Sequence, residues 1–480
     1  MTVDLDPIVA LTACALSDAI HARRVSCREV MTAYLARIDA LNPACNAIVS
    51  LQPRETLLAQ ADARDADLAA GIDRGFLHGF PMAIKDIAAT VGIPTTLGSP
   101  LLANYLPAED GYMVARMKTA GGIVIGKTNT PEFGLGSHTY NTVFGITRNA
   151  YDRTRSAGGS SGGSAVSLAL RLQPVADGSD FMGSLRNPAG WNNVFGFRPS
   201  PGRVPYGPLG DQYVSQLGTE GPMGRTVRDL AMLFSVQAGR EPRAPLSIAE
   251  DGAQFAAPLR EPKRGLRIGW LGNLGGYLPM EPGILATCEA GLRRLEGLGC
   301  SVEPASLGYA PERVWQTWLT WRRWLVSGRV EPFYANPAQR ERLKPEARWE
   351  AAQGAGLSGA DTYAASLERS AFYAHMLTLF ERHDFLVLPT AQVWPFAAEL
   401  DWPKEIAGVA MDTYHRWMEV VIYATLAGLP AISVPAGFDD RGLPMGMQLI
   451  GPPLADRAVL ELAAGYEATI ADLLAREPTV

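Results

Sequence analysis

The sequence predicts an α/β protein with a large mixed, mostly parallel central β-sheet that helices cover on both faces. Short apolar runs rich in β-branched residues, bounded by glycine or proline, alternate along the chain with segments of helical periodicity. The composition, with 47% hydrophobic and 19% charged residues among 480, is that of a globular protein. Chains of this length can form one large α/β unit, so length alone does not require several domains.

The first clear helix is predicted to follow Ser26. This serine and Glu29 have the spacing of a capping box, in which each side chain accepts a hydrogen bond from an N–H group at the helix start. Apolar residues recur at helical spacing between 30 and 41. Asn42 and Pro43 then predict the end of this helix.

Several later apolar runs are predicted to be buried strands of the sheet. They are short and enriched in β-branched residues, and turn-forming residues flank them. The segment 267–304 has the pattern of a strand, an amphipathic helix and a second strand. The other predicted strands lie at 80–84, 122–126, 386–388 and 431–434.

Four tryptophans recur at every third position of a helical segment, namely Trp315, Trp318, Trp321 and Trp324. Rings at this spacing drift slowly around a helix and share a broad face. One interpretation is a helix packed under the core. The other is an aromatic wall of a substrate cleft, since aromatic linings suit apolar ligands.

Charge and cysteine content argue against several classes of protein. The 43 basic and 49 acidic residues give a net charge of −6 without a basic run, so we expect no nucleic-acid partner. Five cysteines without Cys-x-x-Cys spacing predict neither a zinc site nor a complete disulfide framework, and we expect no metal or cofactor. The acidic N-terminal segment and the lack of a long apolar stretch predict a cytoplasmic protein without a membrane span.

A glycine- and serine-rich block at 156–190 carries the densest chemical signal. Glycines flank Ser160 and Ser161 on both sides, and Gly183 and Ser184 follow about twenty residues later. Such a block is typical of a flexible linker, a phosphate-binding loop or a serine-based site. It contains no phosphate-loop motif, and the sequence contains no G-x-S-x-G or H-E-x-x-H motif. The residues alone therefore leave a serine-based site as one interpretation among others.

Longer motifs extend this block in both directions along the chain. They include LHGFPMAIKD, GKTNTPEFGLGS, AGGSSGGSA, DGSDFMGSLRNPA and GLPMGMQLIGPPLADRAVLELAAGYE. On these motifs the sequence resembles the amidase signature family over nearly its whole length. The resemblance implies a single domain over 1–480 with a catalytic core at 60–240 and 385–480. It also implies a variable, mainly helical substrate-cleft region at 305–380.

The resemblance assigns catalytic roles to three residues. It implies that Lys85 is the general base, that Ser160, after a cis peptide bond, relays protons, and that Ser184 is the nucleophile. A free lysine has a pKa of about 10.4, so this role needs burial to lower the pKa of Lys85. The oxyanion hole that the family implies consists of the backbone N–H groups of Phe181, Met182, Gly183 and Ser184.

Further residues are expected around this triad. We expect Ser161, Asp180 and Arg186 to support the two catalytic loops, the latter two through charge-assisted hydrogen bonds. Arg203 has two interpretations, a gate at the entrance or a solvated loop arginine. The expected substrate-binding residues are Leu135, Gly136, Arg203, Gln212 and Trp318.

Met182 departs from the usual family pattern, which is Asp-x-Gly-Gly-Ser. Here a methionine stands where the first of the two glycines is usual. Its N–H group remains, since only proline lacks one, but the loop geometry or the pocket volume must differ. The variation resembles the branch that hydrolyses nylon-type oligoamides and carbamates.

The expected function is that of a stand-alone amidase, acting on carbon–nitrogen bonds other than peptide bonds. Small-molecule amides are the expected substrates, with aryl carbamates (urethanes) as a second class, and the expected assembly is a monomer or homodimer. An alternative is the glutamine-hydrolysing subunit of a tRNA-dependent amidotransferase. A third hypothesis, a non-enzymatic binding protein, does not account for Lys85, Ser160 and Ser184 occurring together.

Overall fold

The structure is a computed structural model that describes residues 5–208 and 210–478. Its strands are β1 (Ile48–Val49), β2 (Pro81–Lys85), β3 (Ile123–Thr128), β4 (Tyr140–Asn141), β5 (Gly145–Ile146), β6 (Ala176–Asp180), β7 (Phe195–Arg198), β8 (Thr219–Gly224), β9 (Arg267–Trp270), β10 (Ser301–Pro304), β11 (Phe385–Pro389), β12 (Glu405–Ile406), β13 (Val409–Ala410), β14 (Ala431–Phe438) and β15 (Pro444–Ile450). Its helices are α1 (Pro7–Ala10), α2 (Ala13–His21), α3 (Cys27–Cys45), α4 (Arg54–Ala69), α5 (Tyr112–Thr119), α6 (Gly162–Ala169), α7 (Arg186–Trp191), α8 (Val227–Gln237), α9 (Ile284–Gly297), α10 (Pro311–Tyr334), α11 (Pro337–Arg340), α12 (Pro345–Gly354), α13 (Gly359–Phe380), α14 (Ile422–Leu426), α15 (Asp456–Glu467) and α16 (Ala471–Leu474). Short 3₁₀ helices lie at Glu132–Gly134, Gly252–Ala256 and Arg416–Val421.

The main sheet of the described chain has eight strands in the order β10-β9-β11-β15-β14-β7-β8-β6. The mixed α/β fold class is confirmed. Parallel pairing is less extensive than expected, because it joins β9 to β10 and to β11, while the other neighbours pair antiparallel. Residues 431–437 of β14 are all buried, so both faces of this strand are covered. A strand covered on both faces has a continuous apolar sequence whether it pairs parallel or antiparallel with its neighbours. The apolar runs therefore did not reveal how the strands pair.

A smaller sheet, β1-β3-β2, meets the main sheet edge to edge at β2 and β6. Side chains rather than a backbone ladder join the two edges. The Gln173 side-chain oxygen accepts the N–H of Ala83 at 2.8 Å, and the Asp177 carboxylate accepts the N–H of Lys85 at 3.1 and 3.2 Å. Lys85 is thus the last residue of a strand that these two polar side chains hold against β6.

The predicted elements agree with most of the observed ones. The strands predicted at 80–84, 122–126, 386–388 and 431–434 correspond to β2, β3, β11 and β14, and 267–304 contains β9, α9 and β10. The capping box of Ser26 is present at the start of α3.

The predicted end of α3 at Asn42 and Pro43 was wrong, because the helix continues to Cys45. Pro43 removes only one backbone donor near the helix end. The last turn still closes, since the N–H of Asn46 donates to the carbonyl of Asn42 at 2.7 Å.

The region between β10 and β11 is largely helical, with α10 to α13 between residues 311 and 380. The tryptophans of α10 divide between two environments. Trp315 and Trp318 are fully buried, while Trp324 is half-buried and lines a cavity. The core interpretation therefore applies to Trp315 and Trp318, whereas Trp324 lies at a cavity wall.

Within residues 5–208 and 210–478, no helix is long and apolar enough to cross a membrane. The same residues contain no group of three or more His, Cys, Asp or Glu side chains that could hold a metal ion. The five cysteines, Cys14, Cys27, Cys45, Cys288 and Cys300, are free thiols.

Candidate active site

Lys85 projects from the end of β2 into the protein interior and is only 1% exposed. Its Nζ atom lies 2.8 Å from the Oγ atoms of both Ser160 and Ser161 and 3.0 Å from the Oγ atom of Ser179. A neutral amine has two N–H donors and one lone pair. Three surrounding hydroxyls can therefore satisfy the amine while one of them gives it a proton.

The surroundings of Lys85 favour its neutral form. Burial lowers the pKa of Lys85 to about 7, although the carboxyl groups of Asp177, Asp180 and Glu220 act in the opposite direction. Burial also raises the pKa of Glu220 to about 8, so this carboxyl group is mainly protonated near neutral pH, whereas Asp177, with its pKa raised to about 6, is mainly ionised there. An appreciable fraction of Lys85 is therefore uncharged near neutral pH.

Ser160 lies in a glycine-rich segment that is buried throughout. The peptide bond between Gly159 and Ser160 is cis, and α6 begins directly afterwards at Gly162. A Cβ atom on Gly163 would lie 2.4 Å from the backbone nitrogen of Asn129, so only glycine fits there. The segment is therefore a close-packed part of the core rather than a flexible linker.

Ser184 follows β6 in a loop that the Asp180 carboxylate organises. Arg186 forms a bidentate pair with Asp180, with Nε and Nη2 each 3.0 Å from a carboxylate oxygen, and Arg198 approaches at 3.3 Å. Burial alone would raise the pKa of Asp180, but the two guanidinium groups hold it well below its usual range. Asp180 is therefore a permanent anion at the base of the loop.

The backbone of this loop limits which N–H groups can bind an oxyanion. The N–H of Gly183 donates to Asp180 Oδ1 at 2.9 Å, so the expectation that Gly183 serves as a donor does not fit this geometry. In the described chain, the N–H groups of Phe181, Met182 and Ser184 have no hydrogen-bond partner within the protein. These three groups remain as candidate donors.

Ser160 and Ser184 both open onto a cavity of about 740 Å³. Its walls are mainly apolar and aromatic, and they come from the loops that bear Ser160 and Ser184, from the segment after β3, from the segment that includes Tyr206 and Gly218, and from α10. Leu135 and Gly136, two expected substrate-binding residues, line this cavity.

Three other expected substrate-binding residues lie outside this cavity. Arg203 is 2% exposed and pairs with Asp456 at 3.2 Å and with Glu250, so it is neither a gate nor a solvated arginine. Gln212 lines an adjoining cavity of about 240 Å³. Trp318 is fully buried behind the Phe181 ring, with 5.6 Å between the ring centroids. The expectations for Arg203 and Trp318 were wrong, because burial and ion pairing place both side chains in the core.

Ser161, which we expect to support its loop, contacts the Lys85 amine directly. Its Oγ atom lies as close to Lys85 Nζ as that of Ser160 does. Its N–H donates to the carbonyl of Ser184 at 3.3 Å, which ties the two serine-bearing loops together.

Two residues of the site were missed from the sequence. Ser179 lies two positions after Asp177 on β6, and strand alternation places both on the side that faces Lys85. Arg322 lies four positions after Trp318 on α10, on the face that packs against the loop of residues 181–184, and its Nη1 is 3.9 Å from Met182 Sδ. The spacing of two residues on a strand, or of four on a helix, was the signal that could have found each of them.

Comparisons with known proteins identify the family of this chain. The family described as Amidase matches residues 29–460. The chain is 33% identical to the acylamidase of Rhodococcus erythropolis over 95% of both chains. It is 35% identical to a glutamyl-tRNA(Gln) amidotransferase subunit from Thermus thermophilus over 94% of this chain and 96% of that protein.

Solved structures show the same relationship. A bacterial aryl acylamidase of the amidase signature family superimposes with a TM-score of 0.91 at 30% identity, over 99% of this chain and all of that one. The 6-aminohexanoate cyclic dimer hydrolase complexed with substrate gives 0.86 at 26% identity, over 99% of each chain. An α/β fold with these relatives defines a carbon–nitrogen hydrolase. The chain belongs to the amidase signature family.

Proposed function

We propose that this protein is a stand-alone amidase that cleaves its substrates through an acyl-enzyme on Ser184. The observation that carries the proposal is the buried contact of 2.8 Å between Lys85 Nζ and Ser160 Oγ, at a cavity that Ser184 also lines. A buried lysine whose amine contacts hydroxyls, and whose Nζ atom has no carboxylate within 4.0 Å in the described chain, has the properties of a general base.

The reaction begins with two coupled proton transfers. Neutral Lys85 accepts a proton from Ser160, and Ser160 takes one from Ser184, whose Oγ atom attacks the carbonyl carbon. The N–H groups of Phe181, Met182 and Ser184 stabilise the resulting oxyanion, and loss of one such donor typically costs about 3 kcal/mol. The proton returns through Ser160 to the leaving nitrogen, the amine departs, and water hydrolyses the acyl-enzyme.

The cavity supports apolar amides, aryl amides among them, as substrates. Phe133, Phe333 and Trp324 contribute aromatic surface to its walls. The relatives named acylamidase and 6-aminohexanoate cyclic dimer hydrolase support the same class of substrate. Aryl carbamates are a second proposed class, since the same attack and amine departure apply and carbon dioxide is lost afterwards.

A fluorophosphonate probe combined with a substrate screen tests the proposal. The wild-type protein should be labelled at Ser184 and should release the amine from aryl amides, aliphatic amides or aryl carbamates. Ser184→Ala should abolish both labelling and turnover. Ser301→Ala, an exposed serine on β10, is the matched control and should retain both. Labelling that persists in Ser184→Ala would contradict the assigned nucleophile.

The amidotransferase relatives give a second candidate function, in which the same residues hydrolyse glutamine for a partner. Ammonia release from glutamine separates the two functions. The stand-alone amidase should turn over aryl amides as a purified monomer or homodimer. Turnover of glutamine alone, or only with added partner subunits, would favour the amidotransferase function.

A further inference from the structure

Most of the charged side chains in the cavity wall already have a partner, either an opposite charge or a backbone N–H group. Among the described residues, the charged side chains that line the cavity are Asp180, Asp211, Arg322 and Arg329. Asp180 pairs with arginines, and Arg322 Nε lies 2.6 Å from Glu350 Oε1. Asp211 accepts backbone N–H groups of the turn that follows it, including that of Ser215 at 2.8 Å.

Arg329 differs from these three groups. In the part of the chain that the structure describes, no carboxylate lies within 4.0 Å of its guanidinium, although the side chain borders the cavity. Its Cζ atom lies 5.9 Å from the ring centroid of Phe181, the first residue of the nucleophile loop. An arginine at the edge of an apolar cavity with no acidic partner is available to bind an anion.

Tyr206 lies beside this guanidinium and lines the same cavity. Burial raises the pKa of Tyr206, while the neighbouring Arg329 acts in the opposite direction, so the phenol stays protonated at neutral pH. Its O–H group is a hydrogen-bond donor. The Cα–H side of Gly218 faces the rings of both Phe181 and Tyr206, since a Cβ atom there would lie 3.5 and 3.7 Å from them. Phe181, Tyr206 and Arg329 therefore form one continuous wall.

We propose that Arg329 and Tyr206 form a carboxylate-binding subsite, so that the preferred substrates are amides carrying a carboxylate separated from the scissile bond by an apolar spacer. This inference rests on the proposed amidase function. The planar guanidinium can offer two parallel N–H groups to a carboxylate, and the phenol adds a third donor. The apolar walls between this subsite and Ser184 suit an alkyl or aryl spacer.

Matched substrate pairs test the subsite and show which side of the amide carries the carboxylate. The acyl-side pair is glutaryl-4-nitroanilide and pentanoyl-4-nitroanilide. The amine-side pair is 4-acetamidobenzoate and 4-methylacetanilide. We expect kcat/KM to favour the anionic member of at least one pair by about tenfold or more, and we expect added salt to reduce the preference.

Variants then assign the preference to residues. Arg329→Met should bring the ratio of the two kcat/KM values close to one, Arg329→Lys should retain part of it, and Tyr206→Phe should reduce it. Arg313→Met is the control, since Arg313 lies on the same helix, is paired with Glu368 and does not line the cavity. Equal turnover of both members in both pairs, or a preference that survives Arg329→Met, would overturn the subsite but leave the amidase function standing.

A binding measurement keeps the subsite testable even without turnover. Calorimetry with Ser184→Ala should show that glutaranilate binds more tightly than pentananilide, and adding Arg329→Met should remove the difference. No amine release from any of the four substrates would contradict the proposed function, whereas equal binding of the two calorimetric ligands would contradict the subsite.

Discussion

At the scale of single residues, Lys85 shows how the protein keeps an amine neutral. In the described chain no carboxylate lies within 4.0 Å of its Nζ atom, and the immediate partners are serine oxygens. An adjacent carboxylate would stabilise the charged form. Hydroxyls bind either form of the amine, so burial alone decides the direction of its pKa shift.

The pH dependence of the rate follows from this arrangement. We expect kcat/KM to rise with pH through an apparent pKa of about 7, because only neutral Lys85 can accept the proton. Profiles measured with two uncharged amides of different leaving groups should give the same value, since the base belongs to the free enzyme. A rate that falls through this range, or Lys85→Ala with full activity, would exclude Lys85 as the base.

Glu220 carries a prediction for stability. Burial raises its pKa in the folded protein from 4.5 to about 8, so between these values the folded state holds a proton that the unfolded chain has lost. The stability that protonated Glu220 gives to the folded state is complete below its pKa in the unfolded chain. It is lost as the pH rises through its pKa in the folded protein. The free energy of unfolding of the wild type should therefore fall by up to about 1.4 kcal/mol per pH unit in this window. That of Glu220→Gln should lack this fall, because glutamine does not titrate.

Urea denaturation at several pH values measures the difference for Glu220→Gln. Glu405→Gln, at an exposed position on β12, is the control and should follow the wild type at every pH. A difference between Glu220→Gln and the wild type that does not change with pH would contradict the prediction.

The ion pair beneath the nucleophile loop should be costly to break. Asp180→Asn leaves Arg186 and Arg198 buried without a matching charge, and we expect it to lower the free energy of unfolding by about 3–5 kcal/mol. Asp384→Asn removes a partly exposed pair with Arg267 and should cost about 1 kcal/mol or less. Equal denaturation midpoints for the two variants would show that Asp180 contributes no more than a surface charge.

Motifs indicated the proposed reacting residues more directly than the walls around them. Lys85, Ser160 and Ser184 lie within such motifs, because the proposed chemistry requires those residue types at fixed positions. Arg203 and Trp318 were misplaced because arginine and tryptophan serve equally well in a buried ion pair, in a core or in a cleft. Their environment depends on the packing of distant segments, which one sequence does not display.

At the scale of elements, helix α10 connects the core to the cavity. Trp318→Ala should leave a void behind Phe181 and lower the free energy of unfolding by about 3–5 kcal/mol. Trp324→Ala, six residues later at the cavity wall, should mainly raise KM for aryl amides. Thermal denaturation of both variants measures the loss of stability, and steady-state kinetics measure the change in KM. The prediction fails if the two substitutions have the same effects.

Strand positions were predictable, but strand pairing was not. The apolar runs of β11 and β14 appear directly in the sequence, because a strand buried on both faces requires them. The same runs do not specify that β15 lies between β11 and β14 and pairs antiparallel with both. Pairing depends on turn geometry and on contacts between distant segments, which periodicity does not encode.

At the scale of the whole molecule, the candidate active site combines parts of two sheets. Lys85 ends β2 of the smaller sheet, and Ser184 follows β6 of the larger one. Arg322 and Arg329 come from a third part of the chain, on α10. No single segment therefore contains all the residues of the candidate site.

The edge-to-edge junction of β2 and β6 has a consequence for how the protein acquires activity as it folds. The contact between Lys85 and Ser179 joins residues 94 positions apart, and such non-local contacts form late. During refolding from urea, far-ultraviolet circular dichroism should recover before amide hydrolysis does. The interval between recovery of the circular dichroism signal and recovery of activity would measure how long the two sheets take to dock.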